Sequence, residues 1–193
     1  MAGAYGDDDG GSSSGSVYVF LTTDGGATYA QVAKLTASDA AADDRFGCSV
    51  ATDGQKVVVG AYDNDDAGSN SGSAYVFALP STDYAQLAKL VAGDFSTHHN
   101  DYSVGESVAI DGATVVVGAP CLCLGNYNSL HCGSSHVDVF RTTDDGATYD
   151  EVATLTPDDG TTHDEFGHSV AIDGDTIVVG AKNDGIVGDG GIT

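Results

Sequence analysis

The residues best suited to chemistry fall in five places. His98 and His99 stand beside Asn100 and Asp101, and His163 stands beside Asp164 and Glu165. Imidazole next to carboxylate serves general acid–base work when a third group supplies a nucleophile. No motif supplies one here: the chain has no Gly-x-Ser-x-Gly elbow, no His-Glu-x-x-His and no phosphate-cradling Gly-Lys-Ser/Thr loop. The plain reading of these histidines is exposed loop polarity, and no catalytic residues and no enzyme activity are expected. Cys121, Cys123 and Cys132 crowd one segment with His131 inside it and His136 just beyond. A disulfide from Cys123 (or Cys121) to Cys132 would staple that segment in an oxidising compartment. Free thiols, or a zinc site using a histidine, are the alternatives, although the spacing is not a standard zinc pattern. The acidic runs Asp7-Asp8-Asp9-Gly10 and Asp63-Asn64-Asp65-Asp66 offer oxygen to Ca²⁺, against the alternative of a solvated loop whose like charges spread apart. Neither run has a full ligand pattern, so no cofactor is assigned and calcium stays open.

Composition limits what such residues can serve. Six Lys+Arg against 29 Asp+Glu in 193 residues give a formal charge of -23. That field repels phosphate backbones and anionic headgroups, so nucleic acid is not an expected partner. No apolar run approaches a membrane span, so no membrane insertion is expected, and the first residues do not read as an export signal. Gly 27, Pro 3 and no Trp describe tight turns and short strands.

The elements that must position these residues are repeated. Gly3-Ala4-Tyr5 through Ser14-Gly15-Ser16-Val17-Tyr18-Val19-Phe20 recurs 57 residues later as Gly60-Ala61-Tyr62 through Ser71-Gly72-Ser73-Ala74-Tyr75-Val76-Phe77. Phe46-Gly47-Cys48-Ser49-Val50-Ala51 recurs as Val104-Gly105-Glu106-Ser107-Val108-Ala109 and as Phe166-Gly167-His168-Ser169-Val170-Ala171. Cys48 therefore aligns with Glu106 and His168, and is expected to be an unpaired thiol. After each Ser-Val-Ala comes Asp-Gly and then Val57-Val58-Val59-Gly60-Ala61, Val115-Val116-Val117-Gly118-Ala119 or Ile177-Val178-Val179-Gly180-Ala181. Short β-branched runs between turn residues read as strands covered on both faces. A third strand ends at Phe20, Phe77 and Phe140. A fourth runs over 29–35, 84–90 and 149–155. Four short strands in a period near 60 residues form the unit of a propeller or a related β-repeat. Ser49 and Ala51 give the first strand a small face for close stacking, with Val50 opposite.

The landmarks Phe46, Gly47, Gly60, Ala61, Gly105, Gly118, Ala119, Phe166, Gly167, Gly180 and Ala181 resemble the FG-GAP repeats of integrin-α propellers over nearly the whole chain. The resemblance implies an all-β, partial β-propeller of about three four-stranded blades, an open arc or fragment, within one region 1–193. The expected divisions are a half blade 1–45, blades 46–101 and 102–165, and a half blade 166–193, the first half carrying strands three and four. It also implies an extracellular or cell-surface adhesion protein with a protein or glycan ligand, its contact residues unknown. The calcium loop of such repeats does not carry over, because the positions read Thr52-Asp53-Gly54-Gln55, Ile110-Asp111-Gly112-Ala113 and Ile172-Asp173-Gly174-Asp175, each a tight turn short of ligands. Val104 replaces Phe in the middle unit, which is expected to pack less well.

Thr22-x-Asp24-x-Gly26-x-Thr28-Tyr29 and Thr142-x-Asp144-x-Gly146-x-Thr148-Tyr149 resemble the Asp-box of sialidase-type propellers. There the motif is a structural turn, with the Asp satisfying backbone donors and the aromatic ring anchoring the hairpin. Sialidase chemistry needs an arginine cluster, and this chain has Arg45 and Arg141 alone. Two alternatives to a binding module remain: a fragment of a larger enzyme, and a calcium-stabilised structural repeat. Exposed blade edges make self-association a further expectation.

Overall fold

The computed structural model describes residues 1–79, 83–92, 103–120, 135–160 and 164–183. Every regular element among them is a β-strand. The first sheet joins β1 (Ala2–Ala4), β2 (Ser16–Leu21) and β3 (Ala30–Leu35). The second joins β4 (Val50–Thr52), β5 (Lys56–Ala61), β6 (Ser73–Ala78) and β7 (Gln86–Leu90). The third joins β8 (Ser107–Asp111), β9 (Thr114–Ala119), β10 (His136–Arg141) and β11 (Asp150–Leu155), and the fourth β12 (Phe166–Asp173) and β13 (Thr176–Ala181). All pairs are antiparallel between consecutive strands. The fold is all-β, a partial propeller. One detail differs from the sequence reading: the first sheet has three strands, because Ala2–Ala4 is the end of a strand two and pairs with Ser16–Tyr18.

The core lies between sheets. Val17, Val19 and Leu35 of the first sheet meet Val57, Val59 and Phe77 of the second. The opposite face of the second, with Val58, Val76 and Leu90, meets Val108, Val115 and Val117 of the third. Val116 and Val137 of the third meet Val170, Ile177 and Val179 of the fourth. The valine triplets of β5 and β9 are buried on both faces, as unbroken β-branched runs require. In β13 the same run is covered on one face alone, and Val178 is 62% exposed. Each interior valine contributes roughly 1.5–3 kcal/mol of transfer free energy, so stacking rather than strand pairing supplies most of the stability.

Backbone contacts at small residues set the spacing. A Cβ on Gly60 would fall 1.9 Å from the Gly105 carbonyl oxygen, and one on Gly118 would fall 2.1 Å from that of Gly167. The Phe-Gly turn of one unit thus sits on the Gly-Ala strand end of the unit before it. Ser49 Oγ donates to that Gly105 oxygen at 2.7 Å, and Ser107 Oγ to the Gly167 oxygen at 2.7 Å. Only a small face permits this approach.

Phe46 is fully buried and meets Tyr75 and Phe77 edge-on, at centroid distances of 5.4 and 5.8 Å. Val104 is also fully buried, against the cluster that includes Phe140. Its site is filled but lacks one of the two rings that Phe46 meets: Phe140 matches Phe77, whereas the position matching Tyr75 is Asp138. Strands three and four share an irregularity in all three complete pairings, with Val32, Leu87 and Val152 left unpaired between the two registers. Such bulges increase the local twist.

Candidate functional site

The Phe-Gly turns do more than space the sheets. Arg45, Ser103 and Glu165, each one residue before the Phe or Val, all adopt positive φ (57°, 48° and 51°), and the following glycines Gly47, Gly105 and Gly167 do so too. Left-handed backbone at a non-glycine residue is uncommon and is kept where the surroundings over-determine it. Here it turns the side chains at one end of three neighbouring sheets into a common patch.

In the second sheet's unit, Arg45 Nε pairs with Asp63 Oδ2 at 2.9 Å, its Nη1 donates to Tyr62 Oη, and its guanidinium lies 5.4 Å from the Tyr62 ring centre. In the last unit the charges are exchanged: Glu165 stands at the turn, paired with Lys182 at 3.3 Å and accepting from Asn183 Nδ2 at 2.7 Å. Glu106 lies between them, and burial pushes its carboxyl above the usual range while His168 acts in the opposite direction. His168 Nδ1 is 4.0 Å from Glu106 Oε1 and is buried without a hydrogen-bond partner. Cys48, Glu106 and His168, equivalent in sequence, are thus neighbours in space.

Cys48 Sγ donates to the Gly105 carbonyl at 3.3 Å, and burial pushes the thiol up to about 12, the reverse of what a nucleophile needs. Cys48 is a free thiol. Arg45, Lys182 and His168 against Asp63, Glu106 and Glu165 make a mixed-charge surface, in a chain whose Lys+Arg total is 6. The sequence reading missed Arg45, Tyr62, Asp63, Glu165, Lys182 and Asn183 as a group. The signal was there, since all six lie within three residues of a Phe-Gly or Gly-Ala landmark.

The Asp-box-like turns close into two matching networks. Asp24 Oδ1 accepts from Thr28 N at 2.9 Å and its Oδ2 from Thr28 Oγ1 at 2.6 Å, while Thr22 Oγ1 accepts from Gly26 N at 2.9 Å. Asp144, Thr148, Thr142 and Gly146 repeat these bonds at 2.8, 2.6 and 2.8 Å. The bonds from Thr148, side chain first and then backbone, hold the Asp144 carboxyl at about 2, and Thr28 holds that of Asp24 lower still. The aromatic anchor departs from expectation in the first unit. Tyr149 packs on the core cluster between the second and third sheets, whereas Tyr29 is 64% exposed, with no sheet beside it among the described residues.

The residues singled out for metals are occupied by protein donors. Asp53 Oδ1 accepts from Gln55 N and Lys56 N at 2.8 and 2.7 Å, and Asp111 Oδ2 from Gly174 N at 2.7 Å, so neither Asp-Gly turn fits the six to eight oxygens of calcium. In the first acidic loop Asp7 accepts from Ser16 Oγ and Tyr18 Oη at 2.8 and 2.9 Å, and both Asp7 and Asp9 pair with Lys34. In the second, Asn64 Oδ1 accepts from Ser73 Oγ at 2.9 Å, and Asp66 pairs with Lys89. Lys34 and Lys89 each lie over the tyrosine of strand three, 5.2 and 5.1 Å from its ring centre. Among the described residues no three of His, Cys, Asp and Glu are grouped to hold a metal ion. Cys121, Cys123, Cys132, His131, His98, His99 and His163 lie outside the described residues.

Comparison with known proteins gives one finding. A family profile described as FG-GAP repeat matches residues 29–77 and 149–191. The first match ends at Phe77 and holds the Phe46-Gly47 and Gly60-Ala61 landmarks; the second holds Phe166-Gly167 and Gly180-Ala181. No curated protein matches the chain significantly.

Proposed function

Residues 29–77 and 149–191 of this chain match the FG-GAP repeat, and from that premise we propose that it is a non-catalytic, propeller-type module that binds a protein or glycan ligand through the patch around Glu106. The observation that carries the reading is the gathering of His168, Asp63, Lys182 and Glu165, from the turns and strand ends of neighbouring units, around the half-buried carboxylate of Glu106. Mixed charge with an unpartnered buried nitrogen, at His168, suits a ligand that brings both donors and acceptors. The deep, neutral thiol of Cys48 speaks against covalent chemistry at the same place. The reading needs no metal, since loop carboxylates that would ligate calcium serve lysines and backbone amides. An extracellular or cell-surface location accords with the acid-rich surface and the repeat family. Among the described residues no helix is long and apolar enough to cross a membrane.

The test is a screen of the purified chain on glycan arrays and a panel of extracellular-matrix proteins, repeated with Glu106→Ala. Binding that falls at least tenfold in the variant, at unchanged melting temperature, supports the patch. Binding untouched by that substitution moves the site elsewhere, and turnover of any arrayed glycan overturns the non-catalytic reading.

A further inference from the structure

The two ends of the row of sheets are complementary. The fourth sheet holds strands one and two of a unit, β12 and β13, and among the described residues β13 has no neighbour on its far edge. The first sheet holds strands three and four, β2 and β3, with the short β1 standing in for strand two. In the complete second sheet, strand two pairs with strand three over six residues, from Ala61↔Ser73 to Lys56↔Ala78. The third sheet repeats this from Ala119↔His136 to Thr114↔Arg141. β1 supplies three of those pairs, Ala4↔Ser16, Gly3↔Val17 and Ala2↔Tyr18, and leaves Val19, Phe20 and Leu21 without their partners from that side.

We propose that β13 of one copy of this chain pairs with β2 of a second copy, displacing β1, so that a four-stranded sheet forms between the two copies. The register follows from the interior units. Ala181 falls opposite Ser16, Gly180 opposite Val17 and Val179 opposite Tyr18, as Ala4, Gly3 and Ala2 do now; Val178, Ile177 and Thr176 then add pairs with Val19, Phe20 and Leu21. β1 already marks the socket, since a Cβ on Gly3 would fall 1.9 Å from the Gly47 carbonyl oxygen, just as one on Gly60 does from that of Gly105. Gly180 keeps the serine half of that seat: the three described atoms nearest its absent Cβ all belong to Ser169, as Ser49 lies by Gly60.

Side chains agree with the backbone. Phe46 in the complete sheet is closed over by Tyr75 and Phe77. Phe166, its equivalent, is half-buried, while Tyr18 and Phe20, the equivalents of Tyr75 and Phe77, lie on the open face of the first sheet with Phe20 37% exposed. The exchange brings the three rings together. It also places Ser169 where Ser49 and Ser107 donate to a glycine carbonyl, the acceptor being Gly47 of the second copy. Val178 is covered as Val58 and Val116 are. With β1 displaced, each copy contributes three four-stranded sheets, and two copies joined at both ends make six, within the 4 to 8 blades of closed propellers. Head-to-tail contacts of this kind form rings when the rotation closes.

The net charge of -23 on each copy opposes the union at long range, so association strengthens as salt screens it. The test is the mass of the full 193-residue chain by light scattering and sedimentation, from about 1 to 100 µM in 0.05 and 0.3 M salt. A two-chain particle, favoured at the higher salt, is expected; a single chain at every concentration and salt overturns the proposal. Val178→Lys and Phe20→Lys each alter an exposed position at opposite ends and are expected to weaken the dimer at least tenfold, with unchanged circular dichroism. Mixed together, the two variants retain one intact Val178 end and one intact Phe20 end, so a two-chain particle returns. If either variant stays dimeric, or the mixture stays monomeric, copies do not join in this way.

Discussion

Two kinds of residue in this chain carry opposite relations to solvent, and each is separately testable. Asp24 and Asp144 sit in exposed turns, yet their carboxylates accept both the amide and the hydroxyl of a threonine four residues on. Their folded values lie below an unfolded value of about 3.9, so they stabilise the turns fully above that value and cease to as pH falls through the folded one. The amide resonance of Thr148 is expected to titrate near the value of about 2 held by Asp144, well below a free aspartate, and Asp144→Asn to abolish that transition. Phe46 has no contact with solvent, and Phe46→Ala is expected to lower stability by about 3–5 kcal/mol in chemical denaturation. Val104→Ala, at the equivalent position, removes a smaller side chain and no ring–ring pair, so it costs less. A loss at Val104 equal to that at Phe46 would contradict the packing described.

At the scale of elements, the decisive contacts join one sheet to the next. Ser49→Ala removes a hydrogen bond to the Gly105 carbonyl and is expected to cost about 1 kcal/mol, whereas Ser169→Ala, whose hydroxyl is exposed, is expected to cost the isolated chain nothing measurable. Gly60→Val places a side chain on a backbone oxygen and should separate the second and third sheets, with tryptic cleavage between them as the readout. Much of this was legible beforehand. The valine triplets, the Asp-Gly turns and the small face of Ser49 and Ala51 announce buried strands, hairpins and close stacking, because alternation and turn chemistry are local. β1 was not legible, since three residues carry no period and become a strand only where β2 offers an edge. Nor was the exposure of Tyr29, which depends on a neighbour the sequence does not mention. The Arg45–Asp63 and Glu165–Lys182 pairs escaped notice because turn and strand end meet across 18 and 17 residues, and exchanging the charges hides the likeness.

For the whole molecule, stability follows from how many faces each sheet has covered. Among the described residues the second and third sheets are covered on both, the first and fourth on one. Amide hydrogen exchange is therefore expected to be slowest in β5 and β9 and fastest in β12 and β13, a gradient that dimer formation would level at both ends. Millimolar calcium is expected to leave the melting temperature unchanged, because Lys34 and Lys89 already engage Asp7, Asp9 and Asp66 of the acidic loops; a rise of several degrees would mean that calcium ligands form there after all. The glycine-on-carbonyl seats at Gly3, Gly60 and Gly118 have a consequence for heredity. A seat accepts the next turn at one height only, so gaining or losing part of a module misaligns everything downstream, whereas duplicating or deleting a complete module leaves each remaining seat filled. Descendants of such a gene should vary in length by whole multiples of the period, with finer variation confined to loops that project sideways from it.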